Sequence, residues 1–155
     1  MTRHLALLPP CLLLLTLAAC DTGSGDPTKV QYAASLGVDL SVMQRSDSGL
    51  YTLDQTVGSG AEATVRSTLK VNYSGWLPDG TLFDSSLNPG RDPFVFTLGV
   101  GQVIPGWDEG MVGMKVGGKR RLVIPSNLGY GTSGSSPSIP PNSVLIFDVQ
   151  LLSVS

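Results

Sequence analysis

Apolar and polar residues alternate along several short stretches of this chain, which is the pattern of half-buried β-strands. Leu69, Val71 and Tyr73 share one face of such a stretch, while the residues between them are polar. Stretches with this pattern, or with a short apolar run, are predicted to be strands: 50–53, 69–74, 94–98, 119–124 and 144–152. A long loop rich in Gly, Ser and Pro, residues 126–142, separates the last two and is here called the flap.

One segment between these strands has helical spacing instead. Ile104, Trp107, Met111 and Met114 lie three or four residues apart, which predicts one face of a helix of eight or nine residues, and Pro105 suits its first turn. So short a helix cannot bury a tryptophan unaided, and a sheet must therefore cover it. Because strands do not alternate with helices along the chain, the pattern predicts an α+β fold with an antiparallel sheet.

The start of the chain resembles a bacterial export signal. A positively charged start precedes an apolar run from Leu5 to Ala19, which is shorter than the roughly 20 residues that span a bilayer. Leu17-Ala18-Ala19-Cys20 resembles the lipoprotein signal, in which the cysteine is lipidated after cleavage. An ordinary export signal that happens to precede a cysteine is the alternative. We expect residues 1–19 to be removed and Cys20 to anchor the protein to an envelope membrane that faces the periplasm or the exterior.

The rest of the N-terminal region is assigned from composition. Residues 20–29 consist mainly of Gly, Ser, Asp and Thr and are predicted to be a flexible tether. Residues 30–48 show both helical and alternating spacing, so that helix and strand are both open. One or two short helices are favoured, and Asp39 is a candidate cap for the second. Residues 49–155 are assigned to the folded domain.

Composition and charge argue against several classes of function. Loss of Arg3 with the signal leaves nine of the ten basic residues against twelve acidic ones, so no basic surface for nucleic acid is expected. His4 and Cys11 lie in the predicted signal and Cys20 is the predicted lipid site, so the domain has neither a histidine base nor a free thiol. Asp108 and Glu109 are expected to be exposed helix neighbours without a partner. No metal or other cofactor is expected.

Aromatic residues recur beside predicted turns in the order and spacing of a known family. The segments that carry the resemblance are Val71–Ser86, Pro93–Gly99, Gly101–Gly110, Gly129–Gly131, Ile139–Pro141 and Leu145–Leu152. From about Gly49 to Leu152 the chain resembles the FKBP-type peptidyl-prolyl cis-trans isomerases. This resemblance implies a strongly bent antiparallel sheet of five or six strands wrapped around one short helix, with a ligand pocket between them.

The resemblance also implies a role for each matching residue. Trp107 would form the pocket floor, while the walls would be formed by Tyr73, Phe83, Phe94, Val103, Ile104 and Phe147. Phe96 is expected to be core. Tyr130 and the backbone N–H of Ile104 would donate hydrogen bonds to the peptide. Asp84 would lie at the edge of the pocket and Ile139 on the flap above it.

These roles imply a monomeric isomerase that acts on X–Pro bonds of exported proteins and assists their folding. Macrolides are a candidate second class of ligand. Two positions depart from the family: Gln102 stands where an acid is frequent, and the flap segment Ser135–Ser138 is polar where apolar residues are common. A chaperone that binds proline-containing segments without turnover and a passive envelope lipoprotein are the alternative functions.

Overall fold

The computed structural model describes residues 24–155, where seven antiparallel strands form one sheet beside a short α-helix. The strands in chain order are β1 Gln44–Arg45, β2 Tyr51–Thr56, β3 Thr68–Trp76, β4 Leu82–Ser85, β5 Phe94–Thr97, β6 Lys119–Ile124 and β7 Leu145–Val154. The helix, α1, spans Pro105–Gly110. Single 3-10 turns span Pro27–Lys29, Ala34–Leu36, Leu40–Val42, Ser126–Leu128 and Gly131–Ser133. Within residues 24–155 no helix reaches the length and hydropathy that a bilayer crossing requires.

The predicted α+β fold is confirmed, and the sheet has one strand more than the higher expected count. Its spatial order is β1-β2-β6-β7-β3-β4, and β5 also pairs with β3. The longest strand, β7, lies between β6 and β3, and its first half is buried on both faces from Leu145 to Phe147, whereas Gln150 and Ser153 are exposed. Two strands lie outside the five predicted stretches: β1, which comes from the segment 30–48 and pairs through only two residues with β2, and β4, which pairs with β3.

The helix lies directly against β6 because glycine occupies two of its positions. A Cβ atom on Gly106 would lie 2.6 Å from Ile124 Cγ2, and one on Gly110 would lie 2.8 Å from Leu122 Cδ2. Any side chain at either position would push α1 away from the sheet. This close approach places Trp107, which is 5 % exposed, between the helix and the sheet.

The helix is shorter than predicted, with six residues rather than eight or nine. Met111 already caps its C-terminus, and Gly113 has a φ of +83°, which a helix cannot accommodate. Met111 and Met114 are nevertheless buried in the same cluster as Trp107. The hydrophobic spacing therefore identified the buried residues correctly, although the last of them lie in the turn after the helix.

Residues 25–43, here called the strap, cover the face of the sheet that is turned away from α1. Successive side chains of a strand point to opposite faces, so Val123 and Ile146 lie on this outer face. Leu36 and Met43 of the strap are buried against them. The two 3-10 turns at 34–36 and 40–42 follow the favoured interpretation, and Asp39 caps the second by accepting the Ser41 N–H at 2.9 Å.

Part of the segment that composition assigned to the tether packs on the folded domain. The Gly25 carbonyl accepts a hydrogen bond from the Ser126 N–H at 2.9 Å, and Pro27 is buried. The Tyr32 hydroxyl donates to the Pro27 carbonyl at 2.8 Å, which fixes the first 3-10 turn of the strap to the residues that follow it. The predicted boundary at Gly49 therefore leaves out residues that pack on the domain. The predicted signal and Cys20 lie outside the described residues.

An ion pair beneath the strap joins the two central strands. Arg121 of β6 donates from Nε to Asp148 Oδ1 at 2.7 Å and from Nη2 to Oδ2 at 2.8 Å. The side chains are 13 % and 12 % exposed, so this bidentate pair is poorly accessible to water. Arg121 also donates to the Leu36 carbonyl. The same guanidinium therefore ties the sheet to the strap.

Replacing Leu36 by Ala tests whether the strap contributes to stability. The substitution leaves a cavity over the outer face of the sheet, and we expect the free energy of unfolding to fall by about 2–3 kcal/mol. Leu87→Ala is the matched control, because Leu87 is 66 % exposed and should change it by less than about 0.5 kcal/mol. Urea unfolding of both variants measures the difference. Equal stabilities would show that the strap adds nothing to the fold.

Candidate functional site

Trp107 lies at the centre of a group of aromatic rings between α1 and the sheet. Its ring centroid is 5.1 Å from that of Tyr73 and 5.2 Å from that of Phe147, both in edge-to-face contact. Phe94 and Phe96 approach it at 6.1 Å and 5.7 Å. Such contacts stabilise aromatic pairs beyond the area they bury. The rings thus form a rigid apolar floor, and the indole Nε1–H within it is buried without a hydrogen-bond partner in the described chain.

The predicted wall residues lie around this floor at different depths. Phe83 faces Phe147 edge-on at 5.4 Å, and Val103 and Ile104 are half-buried against the same cluster. Phe94 is 40 % exposed, whereas Phe96 is 3 % exposed and belongs to the core, as predicted. Gly75 makes room for the rings, since a Cβ there would lie 2.6 Å from both Phe147 and Phe83.

Ile104 precedes the helix and leaves a backbone donor free. Its carbonyl accepts the Trp107 N–H at 2.9 Å and begins the helical hydrogen bonding. Its own N–H makes no hydrogen bond within residues 24–155. Because φ and ψ of −58° and 147° are extended, the chain turns into the helix only after this residue. The predicted donor is therefore available beside the aromatic floor.

A polar group closes one edge of the site. The Tyr73 hydroxyl on β3 donates to Asp84 Oδ2 on β4 at 2.5 Å. Arg91 Nη1 lies 3.3 Å from Asp84 Oδ1, and Arg91 Nη2 lies 3.5 Å from the Tyr73 oxygen. Burial first, and then the hydrogen bond to Asp84 and its charge, raise the pKa of Tyr73 to about 12. The phenol is therefore a protonated donor at neutral pH, and its ring is held in one orientation.

The flap also borders the site. Tyr130 is 41 % exposed, and its hydroxyl makes no hydrogen bond within residues 24–155. Burial, and then the negative charge of Asp84, raise the pKa of Tyr130. Ser135 and Ile139 exchange two backbone hydrogen bonds of 2.8 Å, which fold the flap back on itself. Ile139 is consequently buried in the same cluster as Trp107.

The structure therefore brings every domain residue named from the resemblance to one region. Seven of them belong to or pack against a single apolar cluster: Tyr73, Phe83, Val103, Ile104, Trp107, Ile139 and Phe147. Phe94 joins it through ring contacts, and Asp84 through the Tyr73 hydroxyl. The flap, whose Ile139 is buried in this cluster, carries Tyr130. Their roles in binding are a prediction that this arrangement supports.

Two residues with a positional role were missed from the sequence. Asp108 was expected to have no partner, yet Oδ1 accepts the Gly99 N–H at 2.7 Å and Oδ2 accepts the Gly101 N–H at 3.0 Å. Gln102 accepts the Thr97 N–H at 2.9 Å and fastens the same loop to β5. This loop leads directly into Val103 and Ile104. Only the folded chain brings these amides to the carboxylate, so no sequence motif marked either residue.

A groove lies apart from the aromatic site. It has a volume of about 520 Å³ and a mixed lining that includes Val42, Leu53, Asp54, Glu109, Val112 and Arg120. Arg120 is already engaged there, since Nε lies 2.6 Å from Asp54 Oδ1 and Nη1 donates to the Gly110 carbonyl at 2.8 Å. Because its polar groups are paired within the chain, the groove offers less for recognition than the aromatic floor with its free donors.

Comparison with known proteins identifies what this arrangement is similar to. The family described as FKBP-type peptidyl-prolyl cis-trans isomerase matches residues 59–152. An FK506-binding protein of Neisseria meningitidis serogroup B is 56 % identical over 106 residues, which are 68 % of this chain and 96 % of that protein. The crystal structure of AtFKBP13 superposes with a TM-score of 0.68 at 44 % identity, over 73 % of this chain and 98 % of the other. FkpA from Escherichia coli gives 0.67 at 46 % identity, over 73 % and 51 %.

The contacts of Asp108 predict an effect on the loop before Ile104. Asp108→Asn keeps one acceptor oxygen for two backbone donors, so we expect unfolding free energy to fall by about 1–2 kcal/mol. Hydrogen exchange at the Gly99 and Gly101 amides should become faster. Glu109→Gln is the control, because Glu109 accepts only from the Ser48 hydroxyl, at 2.6 Å. Unchanged exchange at both glycines in Asp108→Asn would contradict the assignment.

Proposed function

This chain belongs to the FKBP-type peptidyl-prolyl cis-trans isomerase family, and we propose that it isomerises X–Pro bonds of exported polypeptides at the Trp107 site. It is a peptidyl-prolyl cis-trans isomerase. The observation that carries the assignment of the site is the rigid aromatic floor bordered by two free donors, the Ile104 N–H and the Tyr130 hydroxyl. The isomerase reaction needs this combination of an apolar surface and hydrogen bonds on either side of the rotating amide.

The apolar floor lowers the barrier by binding the twisted amide better than the planar one. Amide resonance opposes rotation with a barrier of about 18–20 kcal/mol, and it separates charge between the amide oxygen and nitrogen. Twisting the C–N bond removes that conjugation, so the transition state is less polar across the bond than the ground state. A surface of aromatic rings therefore favours the transition state, and each 1.4 kcal/mol of preference increases the rate about tenfold.

The two donors keep one part of the peptide fixed while the other turns. The Ile104 N–H and the Tyr130 hydroxyl are placed to bind carbonyl oxygens of the segment around the proline. Holding these groups removes rotational freedom that the free peptide would lose on the way to the transition state. Ile139, the buried residue of the flap, would cover the prolyl ring from above. These roles rest on the geometry of the free donors and on the family resemblance.

The cell envelope is the proposed location, with Cys20 as a lipid anchor. The N-terminal sequence supports this, because Leu17-Ala18-Ala19-Cys20 resembles the bacterial lipoprotein signal. The clients would be proline-containing segments of exported proteins, bound by a monomer. Macrolides are a proposed second class of ligand, since the Neisseria meningitidis relative is named an FK506-binding protein. The polar flap segment Ser135–Ser138 offers such a ligand little apolar contact.

A pair of Tyr→Phe substitutions separates catalysis from stability. Tyr130→Phe removes a free donor and keeps the ring, so we expect kcat/KM for a Leu–Pro peptide to fall about 2–10-fold with an unchanged melting temperature. Tyr32→Phe is the matched control, because its hydroxyl bonds the Pro27 carbonyl in the strap. It should lower the melting temperature and leave kcat/KM unchanged. A Tyr130→Phe enzyme with the parent rate would remove Tyr130 from the site. Peptide binding without any rate enhancement by the parent would favour a non-catalytic chaperone.

The mechanism predicts a rate that is independent of pH near neutrality. The histidine and both cysteines precede residue 24, and the raised pKa values keep the Tyr73 and Tyr130 phenols protonated. We expect kcat/KM for an uncharged prolyl peptide to be flat between about pH 5.5 and 8.5. The elevated pKa of Tyr73 stabilises the fold below about pH 10, and this stabilisation is lost as pH rises toward 12. A bell-shaped profile measured on the intact fold would instead indicate proton transfer.

A further inference from the structure

The chain enters the described domain at the base of the flap. The Gly25 carbonyl accepts the Ser126 N–H at 2.9 Å. The contact is so close that a Cβ on Gly25 would lie 2.2 Å from Ser126 Oγ and 3.6 Å from the Asn142 carbonyl. Ser126 and Asn142 are the two ends of the flap, which carries Tyr130 and Ile139. The entry point of the chain is therefore fixed beside one edge of the isomerase site.

The aromatic site lies at this same end of the molecule. Gly106, in the first turn of α1, packs on Ile124, the last residue of β6. Ile104 and Trp107 are therefore close to the end of β6 that leads into the flap. The other end of β6, Lys119, pairs with Thr56. The six residues of β6 separate these two ends by about 20 Å.

The distance from Gly25 back to Cys20 limits how the domain can face a membrane. Five Cα-to-Cα steps span at most about 18 Å, whatever conformation they adopt. A folded unit of the size described here has a diameter of about 36 Å. If the Lys119 end faced the bilayer, Gly25 would lie at least the length of β6, about 20 Å, away from it, which exceeds the reach of a lipidated Cys20. The chain between Cys20 and Gly25 is therefore long enough only for orientations in which the Gly25 end lies near the lipid.

We propose that the lipid bilayer is an oriented partner surface of this protein, and that the flap end with the isomerase site faces it. This inference rests on the lipid anchor of the proposed function. The gap between the Gly25 end and the membrane is then at most about 18 Å, which admits an extended polypeptide about 10 Å across but excludes a folded domain. The substrates are accordingly unfolded proline-containing segments at the membrane surface, such as chains that have just crossed it.

Single-cysteine labelling tests this orientation, because the mature chain has no cysteine besides Cys20. Thr132, exposed on the flap, and Val57, 75 % exposed beyond Thr56, are each changed to Cys in the full-length protein. A fluorophore is attached to each after the acylated protein has been placed in phosphatidylcholine vesicles. Lipids with a nitroxide headgroup quench only nearby fluorophores. We expect strong quenching at Thr132→Cys and little at Val57→Cys.

A longer linker provides the control. Inserting twenty Gly and Ser residues between Thr22 and Gly23 extends the reach beyond the domain diameter, so the difference between the two labels should disappear. Equal quenching of both labels in the acylated parent protein, or stronger quenching at Val57→Cys, overturns the orientation while leaving the anchor and the isomerase intact. If the parent protein carries no acyl chain and does not bind the vesicles, the anchor itself is overturned. Cys20→Ser is the control that should not bind them. Isomerisation of a soluble Leu–Pro peptide, assayed separately, reports on the proposed reaction alone.

Discussion

The close approach of α1 to β6 is the constraint on which the rest of this structure depends. With glycine at positions 106 and 110, the helix backbone lies within side-chain contact of Ile124 and Leu122. Trp107 then has no room except between helix and sheet, where Tyr73, Phe94, Phe96 and Phe147 surround it. The functional floor is thus also the hydrophobic core. Substitutions in it cannot separate catalysis from folding, whereas changes at the polar edges can.

Periodicity predicted the parts of the fold that repeat over many residues. The strand at 119–124 has the predicted bounds, and the alternation of Leu145, Phe147, Val149 and Leu151 identified the face of β7 that meets α1. Periodicity did not predict where the helix ends, because Met111 and Met114 keep helical spacing although they follow the last helical residue. Residues at the site were named from the family resemblance, and the pattern alone would have assigned most of those aromatics to the core.

The features that the sequence did not reveal all depend on contacts between distant segments. In the sequence, Asp108 and Arg91 look like ordinary surface charges. The fold brings the Gly99 and Gly101 amides to Asp108, and it brings Asp84 to Arg91. The strap gave an ambiguous pattern because only one side of an irregular chain touches the sheet, and its 3-10 turns are too short to establish a period. A two-residue strand such as β1 has no detectable alternation at all.

The strap allows the outer face of this sheet to be apolar. An antiparallel sheet with a helix on one face ordinarily exposes polar residues on the other. Here Val123 and Ile146 are apolar on that face, and the poorly exposed Arg121–Asp148 pair lies beside them. Val123 and Ile146 would be unfavourable in contact with water, and the strap covers them. Arg121 would be unfavourable without hydrogen-bond partners, and the strap supplies the Leu36 carbonyl as an acceptor. Since the strap begins at Gly25, whose carbonyl accepts the Ser126 N–H, the same segment also holds the base of the flap. The strap thereby connects the outer face of the sheet to the edge of the isomerase site.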